Sequence, residues 1–274
     1  LNLGVHGAGI AMLARETAVF VVLLGYALRH GELIRPSLRR ARFTLPVFAE
    51  IMRYGLPTLL RQGATSLSAA MLSRVSAEFG APVLAGMGLC ARAVMPFTSA
   101  VIGFGQGFQP VCGAAFGAKQ TARCQTAYRF CQRVLLVFSL AVGAAVFAFA
   151  PALTARFAHD AQTADVAGHA LRLQSAVFFA QSAVILMTML TQSLGQTVRA
   201  ALVATSRQGL FLLPLLTLLP RVFGLWGLLA CQSVSDVISL VFSWLLTRKV
   251  FPLSPFTRSS SPRGGDNRPQ TAEG

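Results

Sequence analysis

The chain is 274 residues long, 54% hydrophobic and only 12% charged, with a mean hydropathy of +0.60 and a net charge of +15. Soluble domains carry about a quarter of their residues charged, so an ordinary soluble fold is excluded. The basic excess could suggest nucleic acid, but its Lys and Arg residues collect on alternate connectors between apolar stretches, which is the mark of membrane topology.

In chain order, a first apolar helix is expected over 5–28, opening with Gly7-Ala8-Gly9, a small cluster that permits close helix approach. It carries Arg15 and Glu16, neighbours that point to different helix faces and are not expected to pair. A basic connector follows with Arg29, Arg35, Arg39, Arg40, Arg42 and Arg53, in which the segment from Pro46 to Met52 reads as a short interfacial helix. The second helix, over 54–77, begins Gly55-Leu56-Pro57 and carries Arg61-Gln62-Gly63. A turn at 78–82 leads to a third helix over 83–106 that contains Arg92 and Pro96. The run from Gly103 to Gly107 reads as small-residue helix packing, because no βαβ pattern surrounds it to make a dinucleotide loop.

The basic segment from Lys119 to Arg133 is expected to be a connector to a fourth helix over 134–155. An outer loop over 156–172 carries both signs of charge with His159 and His169, and a fifth helix follows over 173–195. Two further helices, over 200–220 and 225–247, are joined by a tight turn from Arg221 to Gly224. The charge-free runs 93–118, 134–155 and 173–198 are each long enough to cross a hydrocarbon layer, which takes about 20 helical residues. The expected organisation is a transmembrane helix at 1–29, a basic cytoplasmic loop at 30–53, a six-helix transmembrane lobe at 54–249 and a disordered tail at 250–274. The fold class is an all-α polytopic membrane protein. Basic residues fall mainly in 29–53, 119–133, 199–207 and the tail, which assigns those regions and the C-terminus to the cytoplasm. A multi-pass location in a cell inner or plasma membrane follows.

Charges within membrane spans cost about 2.5–3.5 kcal/mol each on insertion scales and need a reason. Four stand out: Arg61, Arg92, Arg207 and Asp236. Arg207 and Asp236 lie on sequential antiparallel helices at depths that differ by about 6 Å, so they are expected to pair. The pair is either a static bridge that closes the last hairpin, or an acid whose protonation or ion binding competes with the Arg. Three deep Arg against one deep Asp leave an excess of positive charge, so Arg61 and Arg92 are expected to line a wet cleft facing a second lobe. The amides Gln62, Gln106, Gln109, Gln174, Gln181, Gln192 and Gln232 recur in apolar runs. Singly each reads as an interhelical hydrogen-bond former; together, and above all Gln62, Gln106, Gln109, Gln181 and Gln232, they suggest a substrate-facing surface.

Enzyme signatures are missing: there is no HExxH, GxSxG or GxxxxGK[ST] and no clustered carboxylate pair. No enzymatic activity, cofactor or bound metal is expected. The five cysteines, Cys90, Cys112, Cys124, Cys131 and Cys231, are odd in number, show no CxxC spacing and lie mostly in apolar runs. Neither a structural disulfide nor a cysteine metal site is expected. His6, His30, His159 and His169 fall at or beyond the membrane edges. No basic leader or small-residue cleavage site precedes the first span, and an opening Leu1 suggests a natural beginning further upstream.

Taken together, Gly55-Leu56-Pro57 with Arg61-Gln62-Gly63, the Gly103-x-Gly105-Gln106-Gly107-x-Gln109-Pro110 run with Gly113 and Phe116-Gly117-Ala118, Gln192-x-x-Gly195, Arg207-Gln208-Gly209, Leu219-Pro220, Gly224-Leu-x-Gly227 and Asp236 make a specific set. Over about residues 1–250 the chain resembles the C-terminal lobe of the multidrug and toxic compound extrusion (MATE) transporters, in their MepA-like branch. The resemblance implies twelve helices in two six-helix lobes, a cleft between them, and organic cations leaving as Na⁺ or H⁺ enters by alternating access. This chain would then supply the last helix of one lobe and the whole of the other, and its partner would be the missing N-terminal lobe, besides a small-molecule substrate and the bilayer. One branch of the family carries a coupling Glu early in its seventh helix, where Leu59-Leu60-Arg61 offers no acid; another uses an Asp in the first helix, which this chain lacks. The coupling ion stays open. Export of a lipid-linked or polyanionic substrate, and a non-transporting fragment, are the alternatives.

Overall fold

A computed structural model describes residues 4–29, 44–158 and 160–248. The elements are α1 (Gly4–Arg29), α2 (Leu45–Glu78), α3 (Ala81–Gly117), α4 (Thr121–Phe157), α5 (Ala161–Ala176), α6 (Phe178–Ser193), α7 (Thr197–Thr205), a π turn (Ser206–Phe211) and α8 (Leu212–Thr247). Among the described residues there is no strand. The chain separates into two compact units, Leu1–Glu50 and Ile51–Gly274. The expected tail at 250–274 and most of the loop at 30–53 lie outside the described residues.

In the first unit, α1 is exposed from residue 9 to residue 24 and is apolar enough over Gly9–Tyr26 to span a membrane. Arg15 and Glu16, expected to face apart, are joined through their side chains at its surface. Both are long and solvent-exposed, so one guanidinium reaches round the helix to its neighbour.

In the second unit, α3 and α4 are each 37 residues long, about 55 Å at 1.5 Å per residue, well beyond a ~30 Å hydrocarbon layer. The basic segment expected as a loop at 119–133 is therefore mostly the first third of α4, a helix that continues past the apolar layer. What the sequence marks at Val134 is entry into lipid, not the start of a helix. Likewise, most of the expected outer loop at 156–172 is helix. Asp160 caps α5, its Oδ2 accepting from the Thr163 backbone N–H at 2.8 Å and its Oδ1 from the Thr163 hydroxyl at 2.7 Å. α5 and α6 then form one span bent by 54° at Val177. At that bend a Cβ on Gly143 of α4 would lie 2.7 Å from the Ser175 carbonyl oxygen, so α4 passes hard against the break.

α8 folds back on itself. Gly224 takes φ 58° and ψ −136°, outside the helical region and open to glycine. Cys231 Sγ then reaches the Leu215 carbonyl oxygen at 3.4 Å, and a Cβ on Gly227 would meet the Leu219 carbonyl oxygen at 2.2 Å. Residues 212–223 and 225–247 are thus two antiparallel halves, as the Arg221-to-Gly224 turn implied. The connector between α3 and α4, the start of α7 and the end of α8 share one basic end, bearing Lys119, Arg123, Arg199 and Arg248.

Packing runs through three apolar clusters. One joins Val75, Val83, Met87, Val146, Leu171, Leu216 and Leu228; a second joins Val101, Phe108, Tyr128, Leu135, Phe178 and Leu190; a third, smaller, joins Val184, Met187 and Val203. α5 packs on α3, α4 and α8, while α6 touches α3, α4, α7 and α8. Of the three glycines in the 103–107 run only Gly105 is buried, with Met189 Sδ 2.1 Å from where a Cβ would sit. Gly103 and Gly107 have nothing within 4 Å, so close packing accounts for one of the three.

The cysteines correct another expectation. Cys112 and Cys124, both fully buried, are disulfide-bonded with Cα atoms 4.9 Å apart. They lie five residues before the end of α3 and three after the start of α4, so the tight turn and the antiparallel pair bring them together. An odd count, apolar surroundings and the absence of CxxC spacing do not show which cysteines a tight turn brings opposite. Cys90, Cys131 and Cys231 are free and buried.

Candidate functional site

The π turn is held from two sides. Its wider helical turn leaves carbonyls off the α ladder, where side chains can reach them. Ser235 Oγ, from the second half of α8, donates to the Arg207 carbonyl oxygen at 2.7 Å. Ser68 Oγ, from α2, donates to the Gln208 carbonyl oxygen. Gly209 lets the two elements approach: a Cβ there would lie 3.1 Å from Ala64 Cβ.

This grip aims the Arg207 guanidinium at Asp236. Arg207 Nε donates to Asp236 Oδ1, and Gln174 Nε2, from α5, donates to Oδ2 at 2.9 Å. Asp236 is fully buried, while the Arg207 side chain keeps 14% of its surface. Each carboxylate oxygen therefore has a donor, and the charge is offset at a fully buried position. By sequence Gln174 is one amide among several in apolar runs. Its role as third member of the triad depends on how α5 is placed by the bend, which no spacing along the chain reveals.

The other deep residues lie elsewhere. Arg61 is half-buried on α2, and Arg92 is exposed on α3. At 100° per residue, Arg92, Pro96, Ser99, Gly103, Gln106 and Pro110 fall within one narrow strip of α3, and all six are exposed. The opposite face of α3, with Val83, Met87, Val101, Phe108 and Cys112, is buried. α2 has a comparable exposed strip through Gln62, Ser66 and Ser73. Gln109 and Gln181 bond across helices: Gln109 Nε2 donates to Gln192 Oε1 and Gln181 Nε2 to Thr98 Oγ1, both at 2.9 Å. Gln232 is half-buried on the Asp236 face of α8. Among the described residues no group of three or more His, Cys, Asp or Glu could hold a metal ion.

By length and hydropathy α1, α3, α4 and the 198–247 stretch qualify as membrane spans, and the bent α5–α6 pair makes a further one. The chain is 23% identical over 249 residues to the multidrug export protein MepA of Staphylococcus saprophyticus, and 21% identical to that of Staphylococcus aureus. Each match covers 89% of this chain and 55% of the relative, so the chain spans about half the length of the relatives it matches. Among solved structures it is similar to the Vibrio cholerae MATE transporter VcmN in its bent form, at TM-score 0.77 and 21% identity, covering 90% of this chain and 56% of that one. A transporter of the MOP superfamily from Pyrococcus furiosus, described as having a binding pocket of reverse polarity, superposes at TM-score 0.79 and 21% identity, covering 90% and 56%. These likenesses show the same all-helical membrane fold, and the relatives are transporters, not enzymes. The MatE family model matches residues 57–218, from within the first half of α2 through the π turn into the outgoing half of α8, and so the chain belongs to the MatE family of multi-pass membrane transporters.

Proposed function

We propose that this chain is the C-terminal lobe of a multidrug exporter that expels organic cations in exchange for Na⁺ or H⁺ by alternating access. The observation that carries the reading is the pair of exposed polar strips on α2 and α3, on helices whose opposite faces are packed. A helix facing lipid over its whole free surface would not place Gln62, Ser66 and Ser73, or Arg92, Ser99 and Gln106, in line. These strips suit a wet cleft whose other wall is the N-terminal lobe, and the half-length matches to multidrug export proteins support that division. In this reading the basic end of the lobe and the C-terminus are cytoplasmic. Asp236 is the buried acid whose hold on Arg207 changes as the lobe moves.

The test uses the full-length transporter in a host lacking its own pumps, with ethidium efflux measured with and without Na⁺ and across pH. Efflux driven by one of the two gradients is expected, and Asp236→Asn is expected to slow it at least tenfold at unchanged membrane level. Wild-type efflux indifferent to both gradients would refute the antiport reading; an Asp236→Asn variant with full coupled efflux would remove Asp236 from the mechanism. A second reading rests on Arg92, whose exposed guanidinium suits a polyanionic or lipid-linked substrate. Binding of an anionic but not a cationic dye, lost in Arg92→Gln, would favour it.

A further inference from the structure

We propose that the second half of α8 carries a file of hydroxyls that connects Asp236 to solvent at the basic end of the lobe, one water bridging each gap. The proposal deepens the reading of Asp236 as the coupling acid and gives that acid its proton route. Ser239, Ser243 and Thr247 follow Asp236 at i+3, i+7 and i+11, which keeps all four on one helix face. All four are fully buried. Thr247 donates to the Ser243 carbonyl oxygen at 2.7 Å, but Ser239 Oγ and Ser243 Oγ have no hydrogen-bond partner among the described residues.

That absence is informative. A helical serine can satisfy itself by donating to the carbonyl four residues back, as Ser182 does to Phe178 at 3.0 Å and Thr188 to Val184 at 2.8 Å. Two successive serines on the Asp236 face leave that option unused, and buried hydroxyls do not go unpaired without reason. Their spacing fits a bridged file: residues four apart rise by about 6 Å along the axis. Two hydrogen bonds in series through one water span about 5.6 Å at ~2.8 Å each. The step from Asp236 to Ser239 is shorter still.

On the other side of Asp236 the polar face is shorter. Beyond Asp236 toward the opposite end, the same face carries Gln232 and Ser233, whose Oγ also has no hydrogen-bond partner among the described residues, before it meets Leu229 and its neighbour Leu228 in the apolar cluster. Of the groups around Asp236, Arg207 on the π turn is the charged one in contact. α6 carries no titratable residue, and α7 carries only Arg199, which is exposed and donates to Gln196 at 3.0 Å. On α5, Asp165, His169 and Arg172 precede Gln174, Asp165 in the first turns and Arg172 two residues before it. The longest line of hydroxyls leading from Asp236 therefore runs past Ser239 and Ser243 to the basic end.

Two arms test this on the full-length transporter in lipid vesicles. In the first, Ser239→Cys and Ser243→Cys are exposed to silver ion, then denatured and alkylated, and each thiol is read by mass spectrometry. Native Cys231, buried on the same helix outward of Asp236, serves as the dry reference. Both introduced thiols are expected to be protected by silver while Cys231 is not; failure of silver to reach either one overturns the file. In the second, Ser243→Thr and Ser243→Val are compared, nearly equal in shape and different in one hydroxyl. Proton-driven efflux is expected to be at least tenfold faster in the Thr variant, and equal rates overturn the proposal. Should wild-type efflux prove independent of protons, the proton-coupled form of the antiport reading fails by itself, and the silver arm still decides the file.

Discussion

Removing the Arg207 guanidinium alone is expected to cost more than removing the whole pair. Arg207→Leu leaves Asp236 fully buried, with Gln174 as its one remaining donor. Breaking a buried pair in this way costs about 3–5 kcal/mol. Arg207→Leu combined with Asp236→Leu removes both charges and replaces them with apolar volume, which is often neutral or stabilising. The measurement is thermal unfolding of the purified full-length protein in detergent, run as a double-mutant cycle over wild type, two single variants and the double. A large loss in Arg207→Leu that the double variant restores is the expected pattern. If the single variant melts like wild type, the pair contributes nothing to the folded lobe, and the π turn is held by Ser68 and Ser235 alone.

A second large effect is expected at the turn of α8. A Cβ on Gly227 would sit 2.2 Å from the Leu219 carbonyl oxygen, 2.6 Å from its carbon and 3.1 Å from the Pro220 nitrogen. All three are backbone atoms, so no rotamer change relieves the clash, and the two halves of α8 must separate. Overpacking of this kind costs about 1–3 kcal/mol and more where backbone must move. Gly227→Ala is thus expected to lower the melting temperature and loosen the approach of Cys231 to Leu215. Gly103→Ala is the control of opposite sign. Nothing lies within 4 Å of its Cβ position, and alanine is favoured over glycine within a helix by about 1 kcal/mol. Equal effects of the two substitutions would show that the α8 halves are not closely packed.

Much of the fold was legible because lipid writes it in composition. Apolar runs mark the residues in hydrocarbon, and the reversal at Gly224 was visible from the Arg221-to-Gly224 signal between two such runs. What composition could not mark is where helices continue beyond the lipid. Residues 121–133 and 161–172 are helical because backbone hydrogen bonding continues into water and Asp160 offers a cap; neither depends on hydrophobicity. The Arg207–Asp236 contact followed from depth, since two charges at similar height on antiparallel neighbours must meet or be stranded. Gln174 and the Cys112–Cys124 bond were hidden for a common reason. Each depends on which residues stand opposite one another after a bend or a tight turn, and a one-residue shift there changes the partners. The grip on the π turn was hidden as well, since nothing in Ser206-Arg207-Gln208 announces a surplus residue.

That surplus has a mechanical meaning. A π turn holds one residue more than the surrounding α-helix can use, and moving the excess along by one position rotates the side chains in between by about 100°. For Ser206–Phe211 such a slip would swing the Arg207 side chain off Asp236 and pull its carbonyl from Ser235, while α7 and α8 stayed helical throughout. Charge separation and helix register at this place would then move as one coordinate.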